Sequence, residues 1–238
     1  MSAKSNGSVA PPLFLPGLLC NETIWAPQVA ALAEFEPVVA TYGLSRSLAD
    51  MAQAALSAAP PVFSLIGHSM GARVALEIFR LAPERVVRLA LLDTGVHPPQ
   101  PGEAEKRHAL LDLGRREGVE RMVDVWLPPM VHPERQTDAD LMAPLHAMAS
   151  GMGLAVFEAQ IEALLGRPDA APLLSRISIP TLIGVGRQDV WSPLAQHQAM
   201  AALVPHSVLT IFENSGHMAP VEAPDQVSAA LKTWLLTA

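Results

Sequence analysis

Six short apolar runs recur along the chain, and stretches with helical spacing lie between most of them. This alternation limits the fold more than any other feature. The runs are Pro12 to Leu15, Pro37 to Thr41, Val62 to Ile66, Val86 to Leu92, Thr181 to Val185 and Ser207 to Phe212. All but one precede a Gly- or Pro-marked turn or an acidic residue, as strands leading into loops do. Between them, Ala72, Ala75, Ile78, Phe79 and Ala82 keep an i, i+3/i+4 rhythm until Pro83 stops it, and Leu48 to Ala58 and Ala223 to Leu236 have the same amphipathic character. Strand, helix and strand in repetition mean parallel pairing through right-handed crossovers, and strands this apolar suit a sheet covered on both faces. The expectation is an α/β fold built on a doubly wound, mostly parallel sheet.

The alternation breaks once, over residues 98–170, where strand signals vanish and helical stripes take over. Val119, Met122, Val123 and Trp126 form one stripe, and Leu154, Phe157, Ile161, Leu164 and Leu165 form another. Pro98-Pro99-Gln100-Pro101 and Gly166-Arg167-Pro168 bracket the segment. Residues 11–97 and 171–238 are therefore read as one core carrying a helical cap insertion, with residues 1–10 as a flexible N-terminus.

With 238 residues, 50% of them hydrophobic and 16% charged, the chain can bury a large interior and has no disordered composition. Its net charge of −7 is spread along the sequence, and no Lys/Arg-rich stretch offers a footprint for nucleic acid. Neither a leader-like apolar segment at the start nor about 18 uninterrupted apolar residues elsewhere is present. The expectation is a cytoplasmic protein without a membrane span. The single cysteine, Cys20, rules out an internal disulfide or a Cys-cluster metal site. Oligomeric state is not readable from the sequence.

The chemistry centres on Gly67-His68-Ser69-Met70-Gly71, which follows the run ending at Ile66 and opens the helix beginning near Ala72. G-x-S-x-G between strand and helix is the setting in which a serine is held on a tight, strained turn at the carboxyl edge of a sheet. A serine hydroxyl is a weak nucleophile at neutral pH and needs a base to take its proton. Of the eight histidines, His217 is preferred because its loop, Asn214 to Met218, directly follows the final strand run. His68 adjoins the nucleophile on a turn that points neighbours apart. His97 follows the fourth strand run, His108, His132 and His146 lie in the insertion, and His197 and His206 read as surface residues. The base needs a carboxylate to fix its tautomer. Asp189 ends the fifth strand run and completes the chain order Ser69, Asp189, His217. Asp93, which ends the fourth, is the rival acid.

An ester carbonyl under attack becomes an oxyanion and needs two preorganised donors. The backbone N–H of Met70, after the nucleophile, and that of Leu18, in the loop after the first strand run, are the candidates. Cys20 shares that loop and reads as a small packing residue.

Pro16-Gly17-Leu18-Leu19, the Gly67 to Gly71 turn, Gly186-Arg187-Gln188-Asp189 and Ser215-Gly216-His217 together resemble the α/β-hydrolase superfamily. Within it they are similar to small bacterial carboxylesterases of the pimeloyl-[acyl-carrier protein] methyl ester esterase type. The resemblance spans nearly all of the chain after residue 10. It implies a cap between the fourth and fifth strand runs and no metal or organic cofactor. Pro16 departs from the family by replacing the histidine common in the oxyanion loop, and Ala72 by replacing a third glycine. The expected activity is that of a serine hydrolase, a carboxylesterase-type enzyme cleaving small to medium, mainly apolar esters through an acyl-enzyme on Ser69. The pocket would be lined by Leu18, Leu19, Trp25, Met70, Trp126 and Phe157, with Met122, Met130, Met148 and Met152 as further cap residues able either to face the ligand or to fill the core. Acids outnumber bases in the insertion, so charge does not suggest an acidic carrier protein. The alternatives are a C–C bond hydrolase of vinylogous diketones, for whose substrate carboxylate Arg73 is the cation beside the turn, and a small-molecule binding protein that retains the triad.

Overall fold

The computed structural model describes residues 9–237, so residues 1–8, most of the expected flexible N-terminus, lie outside it. Its centre is a six-stranded sheet in the order β2-β1-β3-β4-β5-β6, made of β1 (Pro12–Leu15), β2 (Val38–Val39), β3 (Phe63–His68), β4 (Val86–Leu92), β5 (Thr181–Gly186) and β6 (Val208–Phe212). Every neighbouring pair is parallel. β1, β3 and β5 are buried along their whole length, which explains why they read as unbroken apolar runs rather than alternating ones. The edge strands β2 and β6 are more exposed, and β2 shrinks to two residues.

Helix α1 (Ala26–Ala31) packs against the C-terminal helix, α2 (Leu48–Ala58) packs against α3 (Met70–Leu81), and α3 packs on β3, β4 and β1. α2 starts where the Ser47 side chain accepts the N–H of Asp50, an N-cap that satisfies one of the helix's orphan donors. The expected insertion contains α4 (Glu103–Glu117), α5 (Val119–Trp126) and α6 (Ala139–Leu165), which pack on one another. α7 (Ala171–Leu174), α8 (Leu194–Leu203), α9 (Ala219–Glu222) and α10 (Pro224–Leu236) complete the chain. The expected terminal helix over Ala223 to Leu236 is α10, which starts one residue later because the backbone at Ala223 lies outside helical geometry.

By length and composition alone α6 would pass for a membrane-crossing helix, although charged and polar residues interrupt its apolar run. It is broken at Gly153 (φ 80°, ψ 166°), Phe157 and Ile161 are buried in the core, and Glu162 forms an ion pair with Arg46 at 2.6 Å. Those features are what a packed helix of a folded domain needs.

The strand order reverses direction between β1 and β3. Loops leaving the carboxyl ends of these two strands diverge there and open a crevice, the usual ligand position in open α/β sheets. The residues after β1 include Leu18, and the residue after β3 is Ser69.

Candidate active site

Ser69 sits between β3 and α3 with φ 54° and ψ −117°, a conformation outside the helix and strand regions. The surrounding chain enforces it. A Cβ added at Gly71 would stand 2.1 Å from the Leu15 carbonyl oxygen, and one at Gly67 would stand 2.5 Å from Gly71 and Ala72 backbone atoms, so only glycine permits so tight a turn against β1. The Ser69 N–H donates to the Leu92 carbonyl at 2.9 Å, and the Thr94 hydroxyl donates to the Ser69 carbonyl at 3.0 Å. Strain at the serine is thereby over-determined from β4.

His217 Nε2 lies 2.8 Å from Ser69 Oγ, and His217 Nδ1 lies 2.8 Å from Asp189 Oδ2. The other carboxylate oxygen, Oδ1, accepts the N–H groups of Trp191 and Ser192 at 2.8 and 2.9 Å. Burial works to raise the Asp189 carboxyl, but the adjacent His217 ring and these donors hold it below the usual carboxylate range. With Asp189 accepting from Nδ1–H, Nε2 presents its lone pair to the serine hydroxyl. Asp93 does not reach His217. Its Oδ1 accepts the Gly186 N–H at 2.8 Å and its Oδ2 has no partner among the described residues. Burial, reinforced by nearby Asp189, pushes its carboxyl well above the usual range.

The loop after β1 is tied down at both ends. The Tyr42 hydroxyl donates to the Pro16 carbonyl at 3.1 Å, and the Gln160 side chain of α6 accepts the Leu19 N–H at 2.8 Å. Between these anchors the Leu18 N–H has no acceptor among the described residues, and neither has the Met70 N–H at the start of α3. Both residues line the cavity beside Ser69. Tyr42 and Gln160 were invisible in the sequence because each acts across a long chain separation, without a local motif.

Glu222 was missed for the same reason. Its carboxylate accepts the N–H of Gly216 and of Met218, each at 3.0 Å, and the N–H of His132 at 2.7 Å. These bonds clamp the residues on either side of His217 and tie them to the insertion. The His217 N–H itself donates to the Met130 carbonyl at 2.8 Å.

The cavity over Ser69 measures about 250 Å3. Of the expected lining residues, Leu18, Met70, Trp126 and Phe157 face it, joined by Met130. Leu19 and Trp25 do not. Both are fully buried: Leu19 is turned through a left-handed backbone (φ 55°), and Trp25 packs on Phe14 at 4.7 Å and edge-on to His68 at 6.2 Å. Met122, Met148 and Met152 also stay off the cavity wall, where packing among the inserted helices takes them. The expected uncharged lining is met on one wall only, because Arg73, Lys106, Arg107, Arg167 and Glu103 form the other.

His197, expected at the surface, is fully buried; its Nε2 accepts the Thr94 N–H at 3.0 Å, since α8 packs against β5 and β6 and carries the ring beneath the turn after β4. Burial lowers it to about 4 and the equally buried His68 to about 3, so both rings are neutral at neutral pH. Burial pushes the Cys20 thiol up to about 12, which suits a packing residue and not a nucleophile. Among the described residues, no three His, Cys, Asp or Glu side chains gather as a metal-ion site.

Residues 11–230 match the model of the alpha/beta hydrolase family, and the chain belongs to that family. It is 30% identical over 229 residues to a putative carbamate hydrolase, RutD, of Variovorax paradoxus, covering 86% of this chain and 84% of that one. It is also 30% identical over 182 residues to a 2-hydroxy-6-oxononadienedioate/2-hydroxy-6-oxononatrienedioate hydrolase of Klebsiella pneumoniae, a match that takes in 73% of this chain and 62% of the relative. Among solved structures, a thermophilic esterase from Thermogutta terrifontis, with malate bound, superimposes with a TM-score of 0.85 at 27% identity, covering 96% of this chain and 90% of that one. The protein is a hydrolase of this family.

Proposed function

We propose that the protein is a serine hydrolase of carboxylic esters acting through an acyl-enzyme on Ser69. The observation that carries this reading is the continuous hydrogen-bonded line from Ser69 Oγ through the His217 ring to Asp189, with both links at 2.8 Å. In the first half-reaction His217 Nε2 takes the hydroxyl proton while Ser69 Oγ bonds to the carbonyl carbon. The Leu18 and Met70 N–H groups receive the oxyanion, each donor contributing roughly 3–4 kcal/mol of transition-state stabilisation. As the carbonyl re-forms, the C–O bond to the alcohol breaks, and the alkoxide leaves with the proton from His217. Water then attacks the acyl-enzyme by the same route, giving the free acid and restoring Ser69. The inserted helices act as a cap that supplies Trp126, Met130 and Phe157 to the ligand. No step calls on a metal or organic cofactor.

A second reading is hydrolysis of a C–C bond in a vinylogous diketone. It is favoured by the likeness to the nonadienedioate hydrolase and by the cationic wall beside the serine.

The first reading is tested with a fluorophosphonate probe and p-nitrophenyl butyrate. The wild-type protein is expected to be labelled at Ser69 and to hydrolyse the ester, and Ser69→Ala to lose both, with a fall in kcat of up to about 10⁶-fold. Ester hydrolysis undiminished in Ser69→Ala overturns it. Loss of absorbance from a 2-hydroxy-6-oxo-dienoate, faster than any ester is cleaved, selects the second reading.

A further inference from the structure

The cationic wall of the cavity carries more positive charge than the protein neutralises. Among the described residues Glu103 is the single carboxylate lining the cavity, and it is fully engaged. Arg167, almost wholly buried, grips it through Nη1–H and Nη2–H at 2.6 and 2.7 Å, and Arg107 donates to it at 2.8 and 2.9 Å. Those contacts hold the Glu103 carboxyl down at about 2 although burial opposes this. Arg73 is left over. Its Nη1–H donates to the His97 carbonyl at 3.0 Å, a carbonyl that also accepts from Arg167 Nε–H at 3.1 Å. Its remaining donors have no acceptor, and it has no carboxylate partner among the described residues. Burial and the neighbouring Arg167 make its positive charge costly, lowering it to about 9, yet it is still a cation at neutral pH.

A largely buried guanidinium with an unused donor face in the catalytic cavity is unusual, because such groups are normally paired. Arg73 lies four residues after Ser69 on α3, so its Cα is about 6 Å further along the helix. A short substrate can therefore span from the serine to the guanidinium.

We propose that Arg73 is the carboxylate-binding residue of this site, and that the enzyme acts on esters whose acyl or alcohol half carries a second, ionised carboxylate a few carbons from the reacting carbonyl. Arg107 and Arg167, held by Glu103, and the exposed Lys106 keep the surrounding potential positive. This rests on the reading of Ser69 as the nucleophile of an ester hydrolase. Hydrolysis of such an ester consumes one water and gives the alcohol, a new carboxylate and one proton, the second carboxylate staying on the half that carried it.

The test compares monoethyl glutarate, with its carboxylate on the acyl side, and 4-acetoxybutyrate, with its carboxylate on the alcohol side, against ethyl pentanoate, following acid release. One charged ester is expected to exceed the neutral one in kcat/KM by roughly 10- to 100-fold, the range of a charge-assisted hydrogen-bonded pair. Which one wins identifies the half that lies against Arg73. Arg73→Met is expected to erase that ratio, mostly through KM, and Arg73→Lys to keep part of it. Independently of any variant, free glutarate at millimolar concentration should slow fluorophosphonate labelling of Ser69, and pentanamide should not. Equal turnover of all three esters by a wild-type protein that labels at Ser69, or a charge preference unchanged in folded Arg73→Met, overturns the carboxylate subsite and leaves the nucleophile standing. Failure of Ser69 to label or of any ester to turn over overturns the nucleophile instead.

Discussion

Replacing Asp189 with asparagine, with Asp93→Asn as its comparison, tests which carboxylate orients the base. In the wild-type site Asp189 Oδ1 is committed to two backbone donors, Trp191 and Ser192. An asparagine at that position must keep its carbonyl oxygen on those donors, since turning the amide would set N–H against N–H twice. Its NH2 group then faces His217 Nδ1, which can accept only by surrendering its proton. The ring shifts to the Nε2–H tautomer, and the lone pair that faced Ser69 Oγ is gone. Loss of a correctly oriented base in such an arrangement lowers kcat by about 10⁴-fold, equivalent to about 5 kcal/mol. Asp93 differs because burial and Asp189 favour its neutral form, and an asparagine closely matches a protonated aspartic acid while retaining an acceptor for the Gly186 N–H. Its effect on kcat is expected to stay within about tenfold. The assay is steady-state hydrolysis of p-nitrophenyl butyrate at neutral pH, with Tm measured on both variants to separate folding from chemistry. A folded Asp189→Asn retaining near wild-type kcat while Asp93→Asn loses several orders of magnitude would refute the assignment.

Two further outcomes follow from the network around the site. Glu222→Gln retains one accepting oxygen for three backbone donors, so at least one buried N–H beside His217 or His132 goes unpaired, at a cost of about 1–3 kcal/mol. Fluorophosphonate labelling of Ser69 is expected to slow at least tenfold as the histidine loop loosens, and an unchanged labelling rate would show that the clamp does not position the base. His197 is held neutral with a folded value of about 4 against 6.5 for the free side chain, so the unfolded chain binds the extra proton first and stability falls as pH drops from about 6.5 toward 4. The contribution approaches about 3 kcal/mol when complete, and urea unfolding of His197→Gln between pH 7 and 4 should show a shallower fall than wild type. Parallel curves would contradict it.

Local order carried the sheet a long way. The buried strands β1, β3 and β5 were legible as apolar runs because strands covered on both faces need apolar side chains throughout, and α2 matched its expected bounds because its cap and its stop are local signals. Ser69, His217 and Asp189 could be singled out because each lies where a strand run gives way to a loop, which makes neighbours of residues separated by more than a hundred positions. What failed depended on which side of a loop or helix faces the cavity. Leu19 and Leu18 are adjacent and chemically identical, yet the left-handed turn at Leu19 buries one and leaves the other on the wall. His197 looked polar enough for the surface, but the packing of α8 buried it and the Thr94 N–H gave it a partner.

The sequence by itself determined the parallel sheet, the strained serine turn and the chain order Ser69, Asp189, His217 at strand ends, because these depend on periodicity, glycine and the position of strand ends. Only the tertiary structure decided that Asp189, and not Asp93, bonds to His217, that Glu222, Gln160 and Tyr42 hold the site in register, and that Arg73 makes no direct ion pair among the described residues. Those outcomes depend on distances between segments far apart in the chain, and pairing of charges and hydrogen bonds is settled where the packed elements bring them together.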